Sequence, residues 1–582
     1  MKATRKRWRL RGRFPEGELQ GLSYPALIRH LLWHRGLRTD GEAKEFMSAT
    51  MVDHDPLTLP DAGKAIARLQ QALRGDEVIA VYGDFDVDGV TASAILIEGL
   101  RELGGHVEPY IPDRFAEGYG VNTGAIDELA KKGAKVIVTA DCGTSSVKEI
   151  EHASALGIDT IVVDHHTVPE RLPDACAIVN PKRSDNRYPE TELASGGLAY
   201  RLMSALYDAE DRSWQAERYL DLVALSTVCD MAPLQGENRA LVRRGLEVIS
   251  HTSRPGLQAL MEASGIDPSF VDTDSIGFGL GPRLNAAGRL AHARMSLDLL
   301  LETDADVAMR RALELTALNK QRQDATSRAL GLAHELVNKA DGGERLIFVG
   351  HEDIPSGIVG LVAGRLTEEH HLPSIVYEKG ESTSRASCRS IPEFDITSAL
   401  RRHGDLMIRF GGHRAAAGFT AENSSLDALK EAMTAEATEH LADVDLTPVI
   451  DVDAAIPLNR VDGDLIRVMN RLAPFGMGNP VPTFLSRDLE IVESRAIGAD
   501  GDHLRLKVRD SSDTEGRVVW PAIAFGVGVE RIAEMNLQPA QRYDFVYSFS
   551  ADRGRNGGLE LMVRDLAPSQ VVVGAGTGGD GS

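Results

Sequence analysis

In the first third of the chain, hydrophobic and polar positions alternate between two kinds of pattern. Short apolar runs rich in β-branched residues, at 78–82, 135–139 and 159–163, each end in a polar loop. Segments with helical period follow the first two loops, at 91–103 and 146–156. Buried strands that alternate with helices form parallel sheets, so this region predicts an α/β domain. Ligands of such sheets lie beyond the carboxyl ends of the strands.

Further along the chain the pattern changes three times. A long, polar-rich helical stretch at 305–339 looks like a connector, and a second α/β pattern begins near residue 345. After about residue 446, short alternating strands are typical of a small β-barrel. The predicted fold is two α/β domains joined by a long helix, plus a C-terminal barrel. The predicted segments are an N-terminal helical segment (1–60), two α/β domains (61–300 and 341–445), a connecting helix between them (301–340), a barrel (446–570) and a flexible tail (571–582).

Length and composition exclude several classes of protein. At roughly 100–200 residues per domain, 582 residues predict about three or four domains. No apolar run approaches the roughly 20 residues of a membrane span, and the basic N-terminus lacks the apolar core of a signal peptide. We therefore expect a cytoplasmic protein without membrane contact. The four cysteines are widely spaced and form no CxxC pair, which argues against a zinc ribbon or a disulfide framework.

The net charge of −22 counts, by itself, against a nucleic-acid-binding protein. However, net charge does not describe local patches, and a metal site lined by carboxylates adds negative charge that its cations neutralise. A basic stretch at 2–13 is one such patch, although a solvated terminus explains it equally well.

Three carboxylates follow the first apolar run at alternating positions, Asp84, Asp86 and Asp88. Such a cluster repels itself unless cations bind, which makes it a candidate site for hard metal ions. An EF-hand is excluded because its twelfth position, Ile95, is not a glutamate and because a strand precedes the cluster. An aspartate-rich turn remains an alternative for this motif alone.

Later segments deliver more ligand-type residues. The second apolar run leads to Asp141 and the third to Asp164, His165 and His166, while a segment at 222–228 leads to Asp230. Four segments that bring carboxylate or imidazole to one edge predict a metal site. This mixture of ligands suits Mn²⁺ or Mg²⁺, and two such ions form the usual clamp for phosphodiester hydrolysis.

In order and setting, these residues resemble the four motifs of the DHH phosphoesterases. The resemblance implies two divalent ions, Mn²⁺ or Mg²⁺, with Asp141 as the bridging ligand. The implied metal ligands are Asp84, Asp86, Asp88, Asp141, His165 and Asp230. The implied catalytic residues are Asp141, Asp164, His165 and His166, with Asp164 orienting the histidines and His166 facing substrate phosphate or supporting the ligands.

Other motifs narrow the resemblance to one branch of the family. Residues 410–418 contain a GGH motif like that of DHHA1 domains, although a glycine-rich turn with an incidental histidine is an alternative. Residues 283–289, 387–390 and 472–480 are similar to segments of the branch that degrades single-stranded DNA. The implied substrate-binding residues are His166, Arg283, Asn285, Arg289, Ser387, Arg389, Gly411, Gly412 and His413. The implied architecture is a parallel-sheet DHH domain, a DHHA1 domain and an OB-fold.

One departure from the family concerns the start of a DHHA1 helix. The family usually has a Trp-His or similar pair there, whereas this chain has Ile354, Pro355 and Ser356 before Gly357.

The resemblance implies a single-strand-specific 5′→3′ DNA exonuclease that releases 5′-mononucleotides, with a role in DNA repair and recombination. The expected partners are single-stranded DNA, a single-strand-binding protein and a RecQ-type helicase, and the expected state is a monomer. Barrel residues suited to gripping the strand, or equally to ordinary packing and surface, are His503, Arg505, Lys507, Tyr543 and Tyr547. The alternatives are a relative acting on short oligoribonucleotides or cyclic dinucleotides, a non-catalytic replication scaffold and a soluble pyrophosphatase.

Overall fold

The protein is represented by a computed structural model whose described residues form two compact units. The main unit comprises Ala49–Leu446 and Pro474–Asn479, and the barrel unit comprises Met1–Ser48, Thr447–Ala473 and Pro480–Ser582. The described residues are 6–52, 54–339, 344–498, 501, 503–512, 518–527, 537, 541–551 and 559–569.

The N-terminal segment belongs to the barrel unit and contains a strand as well as the predicted helices. Strand β1 (Arg7–Leu10) is followed by helices α1 (Ala26–His34) and α2 (Asp40–Ser48). Helix α1 buries Ile28, Leu31 and Leu32, whose spacing of three and four residues places them on one face.

A five-stranded parallel sheet forms the first layer of the main unit, with the strand order β3-β2-β4-β5-β6. Its strands are apolar on both faces because helices cover both sides. The strands are β2 (Val78–Gly83), β3 (His106–Tyr110), β4 (Ala134–Ala140), β5 (Asp159–Val163) and β6 (Ala177–Val179). The accompanying helices are α3 (Ala62–Arg74), α4 (Val87–Glu102), α5 (Thr123–Lys131) and α6 (Val147–Ala155).

Helices follow the sheet and complete its core. They are α7 (Ser195–Ala209), α8 (Leu220–Cys229), α9 (Gly236–Ser250), α10 (Pro255–Ser264), α11 (Gly281–Leu290) and α12 (Arg294–Leu300), with a π-helical turn at Ser275–Leu280. Helix α4 is buried along most of its length because α7 and α8 pack against it. The long helix α13 (Ala305–Lys339) then contacts α10, α11 and α12, and it also reaches the second α/β layer.

A mixed five-stranded sheet forms this second layer, in the order β10-β11-β9-β8-β7. Strands β7 and β8 are parallel, and the other neighbours are antiparallel. Helices cover both faces, so alternate residues of each strand are buried on opposite sides. The elements are β7 (Ile347–His351), α14 (Val359–His370), β8 (Ser374–Lys379), β9 (Thr383–Arg389), α15 (Ile396–Arg402), β10 (Arg409–His413), β11 (Ala416–Glu422) and α16 (Leu426–His440).

A closed barrel forms the core of the barrel unit. Its strands follow one another as β14-β15-β16-β18-β17, and β17 pairs back onto β14. Two register shifts in β14 bend this long strand so that it can pair on both sides. The elements are β12 (Val449–Val452), β13 (Ala454–Ala455), α17 (Gly463–Asn470), β14 (Phe484–Ile497), β15 (His503–Asp510), β16 (Trp520–Ala524), β17 (Arg542–Ala551) and β18 (Leu559–Pro568).

The predicted fold class is confirmed: a parallel-sheet domain, a second α/β domain, a long helix and a C-terminal barrel are all present. The boundaries drawn from the sequence stay predictions, and the tail at 571–582 lies outside the described residues. No helix in the part of the chain that the structure describes is long and apolar enough to cross a membrane.

Candidate active site

Three adjacent parallel strands end in register at one edge of the first sheet. An aspartate follows each strand: Asp84 after β2, Asp141 after β4 and Asp164 after β5. The amide of Asp84 donates to the Ala140 carbonyl at 3.1 Å, and that of Asp141 donates to the Val163 carbonyl at 3.0 Å. The hydrogen bonds between the strands therefore fix the backbone positions of these aspartates. Asp141 has a positive φ of 68°, a left-handed conformation that aspartate adopts more readily than most residues.

The first aspartate motif combines structural and ligand functions. Asp86 is the N-cap of α4, where its carboxylate accepts from the Gly89 amide at 3.1 Å. Asp84 and Asp88 flank it and are almost fully buried. A Cβ at Gly89 would lie 2.6 Å from the Asp84 amide nitrogen, so only glycine lets the loop close this tightly. Because the loop closes tightly, the three carboxylates lie on the same side of it.

Asp230 joins this group from the carboxyl end of helix α8 rather than from a strand. His165 lies at the centre of the group. Its Nε2 is 3.3 Å from Asp141 Oδ1, 3.6 Å from Asp88 Oδ2 and 3.7 Å from Asp230 Oδ2. All six residues predicted as metal ligands thus meet in one place, which we call the acidic centre: Asp84, Asp86, Asp88, Asp141, His165 and Asp230.

Ligand atoms of the acidic centre fall into overlapping groups, each with its atoms within 4.8 Å of one another. The groups are Asp84–Asp86–Asp141, Asp88–His165–Asp230 and Asp141–His165–His166. Asp141 is shared between the first and the third. Two neighbouring cation positions with Asp141 between them are consistent with this arrangement.

The chemistry of these residues fits divalent cations. Burial, reinforced by neighbouring carboxylates, raises the pKa of Asp84 and Asp141 well above the usual range and that of Asp230 to about 8. Burial lowers the pKa of His165, which favours the neutral imidazole that binds metals. Two buried atoms, Asp84 Oδ1 and His165 Nε2, have no hydrogen-bond partner among the described residues. Cations would satisfy both the charge and the unpaired atoms.

The N-terminus of α7 holds two of the ligands in place. The amides of Ser195 and Gly196 donate to the two carboxylate oxygens of Asp88, at 2.8 and 3.0 Å. The Ser195 hydroxyl donates to Asp141 Oδ1 at 3.0 Å, and the Ser226 hydroxyl donates to Asp88. Sequence reasoning missed these donors. A serine followed by two glycines at the start of a helical run was the available signal, because helix N-termini bind anions.

Asp164 contacts His166, one of the two histidines that it is predicted to orient. Its carboxylate accepts from the His166 amide at 3.0 Å and from the Thr144 amide at 2.9 Å, and it lies 2.7 Å from His166 Nδ1. Burial alone would raise the pKa of Asp164, but these hydrogen bonds lower it overall. The same contact raises the pKa of His166 against the effect of burial. Tyr119, which the sequence did not single out, places its hydroxyl 3.1 Å from His166 Nε2.

A cavity of about 600 Å³ adjoins the acidic centre within the main unit. Phe85, which stands between Asp84 and Asp86, lines it together with Tyr119. Five arginines line the cavity, and its described lining contains no carboxylate; we call it the arginine cavity. The arginines are Arg114, Arg289, Arg385, Arg389 and Arg409. Such a lining suits a strongly anionic ligand.

Four of the predicted substrate-binding residues line this cavity: Arg289, Ser387, Arg389 and Gly411. Arg389 donates to the Ser387 hydroxyl at 3.1 Å, so the two form one surface of β9. Burial and the neighbouring arginines lower the pKa of Arg289 to about 10. An anion would relieve this repulsion. Ser356, part of the departure from the family pattern, also lines the cavity.

Arg283 and Asn285 do not belong to the described lining of the cavity. The Arg283 guanidinium donates to the Gly279 carbonyl at 2.7 Å and lies 3.3 Å from the Thr316 hydroxyl. Its contacts therefore tie α11 to the preceding turn and to α13. The phosphate-binding role of Arg283 stays a prediction.

Gly412 and His413 lie at the end of β10, outside the described cavity lining. Gly412 has a φ of 146°, and a Cβ there would lie 2.4 Å from the Ala416 carbonyl oxygen. This glycine is required by the hairpin itself. His413 is exposed, and its carbonyl accepts from the Thr397 hydroxyl at 2.6 Å.

The sequence analysis missed Arg114, Arg385 and Arg409. Arg114 lies with its guanidinium carbon 4.7 Å from the centroid of the Phe85 ring, a cation–π contact beside the acidic centre. Arg385 could have been found from the alternation of Arg385, Ser387 and Arg389 in a strand, which puts all three on one face. Arg114 lies in a loop without any comparable signal.

In the barrel, the two tyrosines proposed for gripping a strand are part of the core. Tyr543 and Tyr547 are 1% and 0% exposed, and the Tyr547 hydroxyl hydrogen-bonds that of Ser486 at 2.8 Å. Arg505 is exposed and lies opposite Arg495 on β14. The exposed arginines, and not the tyrosines, are available to a ligand.

Family profiles match three parts of the chain: the DHH family, N-terminal domain at 78–227, the DHHA1 domain at 343–439 and the RecJ OB domain at 452–565. Together they cover five of the six residues of the acidic centre, all but Asp230, together with the β9–β11 side of the arginine cavity and the barrel. Their order along the chain agrees with the predicted architecture.

Full-length relatives show the same similarity. The chain is 33% identical over 578 residues to the single-stranded-DNA-specific exonuclease RecJ of Bacillus subtilis, covering 98% of this chain and 72% of the relative. It is 32% identical over 566 residues to RecJ of Escherichia coli, covering 94% and 96% respectively. The crystal structure of RecJ in complex with Mn²⁺ from Thermus thermophilus superposes with a TM-score of 0.80 at 30% identity, covering 97% of this chain and 80% of that one. The chain therefore belongs to the RecJ family of single-stranded-DNA-specific exonucleases.

Proposed function

We propose that the chain is a single-stranded-DNA-specific exonuclease that hydrolyses the terminal phosphodiester bond with two divalent ions, Mn²⁺ or Mg²⁺. The observation that carries this proposal is the adjacency of two features in the main unit. A cation-binding acidic centre opens beside a cavity lined by arginines, and Phe85 and Tyr119 border both. One feature suits hydrolysis and the other suits holding the phosphate at a strand end.

In the acidic centre, Asp84 and Asp86 would hold one ion and Asp88, His165 and Asp230 the other, with Asp141 shared between the two. When bound, the ions supply the Lewis acidity that activates water and neutralises charge at the leaving oxygen. Ser195 keeps Asp141 and Asp88 in position through its hydroxyl and its amide. Asp164 keeps His166 directed toward the centre, where its imidazole would contact the substrate phosphate.

Direction along the strand follows from what holds the strand end. A terminal phosphate carries more negative charge than an internal diester, so a cluster of fixed arginines prefers it. We assign Arg114, Arg289, Ser387 and Arg389 to the 5′-terminal phosphate. Because these groups line a cavity rather than a flat surface, a free end reaches them more readily than an internal phosphate. Hydrolysis at the neighbouring acidic centre would then proceed 5′→3′ and release 5′-mononucleotides, as DNA repair and recombination require.

The barrel would bind further nucleotides of the strand. Support comes from its match to the RecJ OB domain and from the exposed Arg495–Arg505 pair. Like charges directly opposite each other on neighbouring strands are unfavourable unless an anion lies between them. A phosphate backbone is such an anion.

Further partners extend this proposal. We propose a single-strand-binding protein and a RecQ-type helicase as partners, since each would supply or present single strands to such an enzyme. A monomer in the cytoplasm is the proposed working state. These assignments rest on the family resemblance and on the enzyme's expected substrate.

Two alternatives are less favoured. A phosphodiesterase for short oligoribonucleotides or cyclic dinucleotides would not need the barrel, which is present here. A non-catalytic replication scaffold would not need a complete ligand set, yet all six acidic-centre residues meet.

A degradation assay with strands labelled at either end tests the proposal. With Mn²⁺ or Mg²⁺, we expect a 5′ label to appear as mononucleotide from the first time point, while a 3′-labelled strand shortens stepwise. Duplex DNA and RNA serve as competing substrates, and Asp141→Asn protein purified in parallel controls for contaminating nucleases. Immediate release of the 3′ label would contradict the assigned direction, and equal degradation of duplex would contradict the strand specificity.

A further inference from the structure

The wall of the arginine cavity formed by β9, β11 and β10 is built in rows across the sheet. Arg389 lies opposite Ala416 in one row, Ser387 opposite Gly418 in the next, and Arg385 opposite Thr420 in the third. On the far side of β11, Gly418 lies opposite Gly411 and Thr420 opposite Arg409. Alternate residues of a strand share a face, so the three rows face the same side at intervals of about 7 Å.

The rows differ in what they offer a ligand. The inner row supplies Arg389, which lies near Arg114 and Arg289. The middle row is nearly empty, because Gly418 and Gly411 carry no side chain and a Cβ at Gly411 would meet nothing within 4 Å. The outer row supplies a second pair of arginines, Arg385 and Arg409. This second pair lies about 13 Å along β9 from Arg389.

Glu378 on β8 lies opposite Arg385 on the other side of β9 from β11. Arg385 and Arg409 are nevertheless exposed, and neither forms an ion pair with a described carboxylate. Arg409 Nε donates to the Thr420 hydroxyl at 3.3 Å, and Arg409 lines the cavity. Two cations therefore lie on one face, beside a row whose side chain is that of Ser387.

The terminal phosphate alone accounts for neither the volume nor the charge of this cavity. A space of about 600 Å³ falls in the size range of sites for whole small-molecule ligands. The three inner arginines already exceed what one phosphate monoester needs. Phe410, which is 37% exposed, stands beside Arg409 and gives the outer end an aromatic surface.

We propose that the outer row of the arginine cavity binds further phosphate groups attached to the terminal phosphate, so that the enzyme also degrades strands with an extended 5′ end. This proposal rests on the assignment of the inner row to the terminal phosphate. The shared chemistry is a diphosphate linkage. It occurs in a 5′-triphosphate and in a 5′–5′ diphosphate bridge to a nucleotide, such as ligases form when they activate a 5′ end.

The reaction remains hydrolysis of the first internucleotide bond. Water contributes a hydroxyl group to the phosphorus of that diester, the bond from phosphorus to the 3′ oxygen breaks, and a proton passes to the 3′ oxygen. The diphosphate linkage is untouched. The first product is a nucleoside 5′-triphosphate, or a dinucleotide bridged 5′ to 5′, and the remaining strand carries an ordinary 5′-monophosphate.

The test uses the full chain and one single-stranded sequence prepared with a 5′-monophosphate, a 5′-triphosphate or a 5′-adenylated end. We expect the wild type to degrade all three and to release the triphosphate or the bridged dinucleotide intact. Arg385→Gln combined with Arg409→Gln should lower the first-step rate on the extended ends, relative to the monophosphate, by at least about tenfold. Arg401→Gln, an exposed arginine of the same layer outside the cavity, is the matched control and should leave the ratios unchanged.

Other outcomes have distinct meanings. If the double substitution lowered the rate equally on all three strands, the outer arginines would hold the strand itself and the proposal would be overturned. If the wild type degraded the monophosphate strand but neither extended strand, the proposal would also be overturned. If the wild type degraded the triphosphate strand but not the adenylated strand, the proposal would hold for linear polyphosphate ends and would be refuted for bridged ends. Failure on every strand would contradict the proposed function instead. Binding of the same strands to Asp141→Asn protein then decides the inference separately, since weaker binding of both extended ends than of the monophosphate would refute it.

Discussion

At the scale of single residues, the acidic centre is a set of like charges that the surrounding protein forces together. Asp84, Asp88 and Asp141 are each at most 2% exposed, and hydrogen bonds hold Asp88 and Asp141 from one side. Such a site is unfavourable without cations, because burial and mutual repulsion both oppose ionisation. Binding of cations to the native protein should therefore stabilise it.

Substitution of Asp141 separates activity from stability. Asp141→Asn should lower the rate of hydrolysis by roughly a thousandfold, about 4 kcal/mol of transition-state stabilisation, because a shared ligand is lost. Without divalent ions, the variant should unfold at the same temperature as the wild type or higher, since a repelled buried charge is removed. Mn²⁺ should raise the unfolding temperature of the wild type much more than that of the variant. Full activity in Asp141→Asn would disprove the ligand assignment.

Arg389 tests the recognition of the strand end. Arg389→Ala should reduce the preference for a 5′-phosphorylated over a 5′-hydroxyl strand by roughly 1.5–3 kcal/mol, about 10- to 150-fold, because one charge-assisted set of hydrogen bonds is lost. The rate at saturating substrate should change less. Initial rates on the two strands measure the preference, with Arg401→Ala as the control. An unchanged preference would remove Arg389 from the phosphate site.

At the scale of elements, two features arise from how strands and helices are placed. The amino end of α7 points its amides at Asp88, so a helix terminus supports the metal ligands. The β10–β11 hairpin supplies part of the cavity wall, and its backbone depends on Gly412.

Ser195 tests the support from α7. Ser195→Ala removes the hydroxyl that orients Asp141 but keeps the amide that holds Asp88. We expect the apparent affinity for Mn²⁺ to fall by about 10- to 100-fold, with activity largely restored at saturating Mn²⁺. Ser204→Ala, on the same helix and without a contact to the acidic centre, serves as the control. A loss of activity that saturating Mn²⁺ does not restore would indicate a different role for Ser195.

Paired glycine substitutions test the hairpin. Gly412→Ala should destabilise β10–β11 by about 1–3 kcal/mol, because alanine is strained at this φ and its Cβ would overlap the β11 backbone. Gly411→Ala meets open space and should leave the hairpin intact. Hydrogen exchange of the hairpin amides measures the difference. If the hairpin amides were equally protected from hydrogen exchange in the two variants, the steric explanation would be contradicted.

At the scale of the whole molecule, the chain carries its chemistry in one unit and its barrel in another. All residues of the acidic centre and of the arginine cavity belong to the main unit. The exposed Arg495–Arg505 pair belongs to the barrel unit. Binding of a long strand and cleavage at its end should therefore be separable by substitution.

The double variant Arg495→Gln, Arg505→Gln should bind long single strands more weakly. The logarithm of the DNA-binding constant falls linearly with the logarithm of the salt concentration, by about 0.7 per phosphate contact. Loss of two contacts should therefore make this slope shallower by up to about 1.4. Cleavage of very short strands should be unaffected. Arg460→Gln, an exposed arginine of the same unit, is the control. An unchanged slope would show that this face of the barrel does not bind the strand.

The sequence was sufficient to predict those features of the fold and the site that depend on local structure. Apolar runs followed by Asp84, Asp141 and Asp164 fix both the strands and the edge at which these residues emerge, because adjacent parallel strands must end together. The alternation of Arg385, Ser387 and Arg389 likewise determines a common face as soon as the segment is a strand. These features require only the chain's own periodicity.

Only the tertiary structure decided which distant segments complete the site. Helix α8 rather than a strand delivers Asp230, the start of α7 supplies the donors to Asp88, and Arg114 meets Arg389 from another layer of the main unit. It also showed that the side chains of Tyr543 and Tyr547 are buried in the barrel core and are not available to substrate. Side-chain direction and burial at such positions depend on contacts between elements, which no local pattern along the chain records.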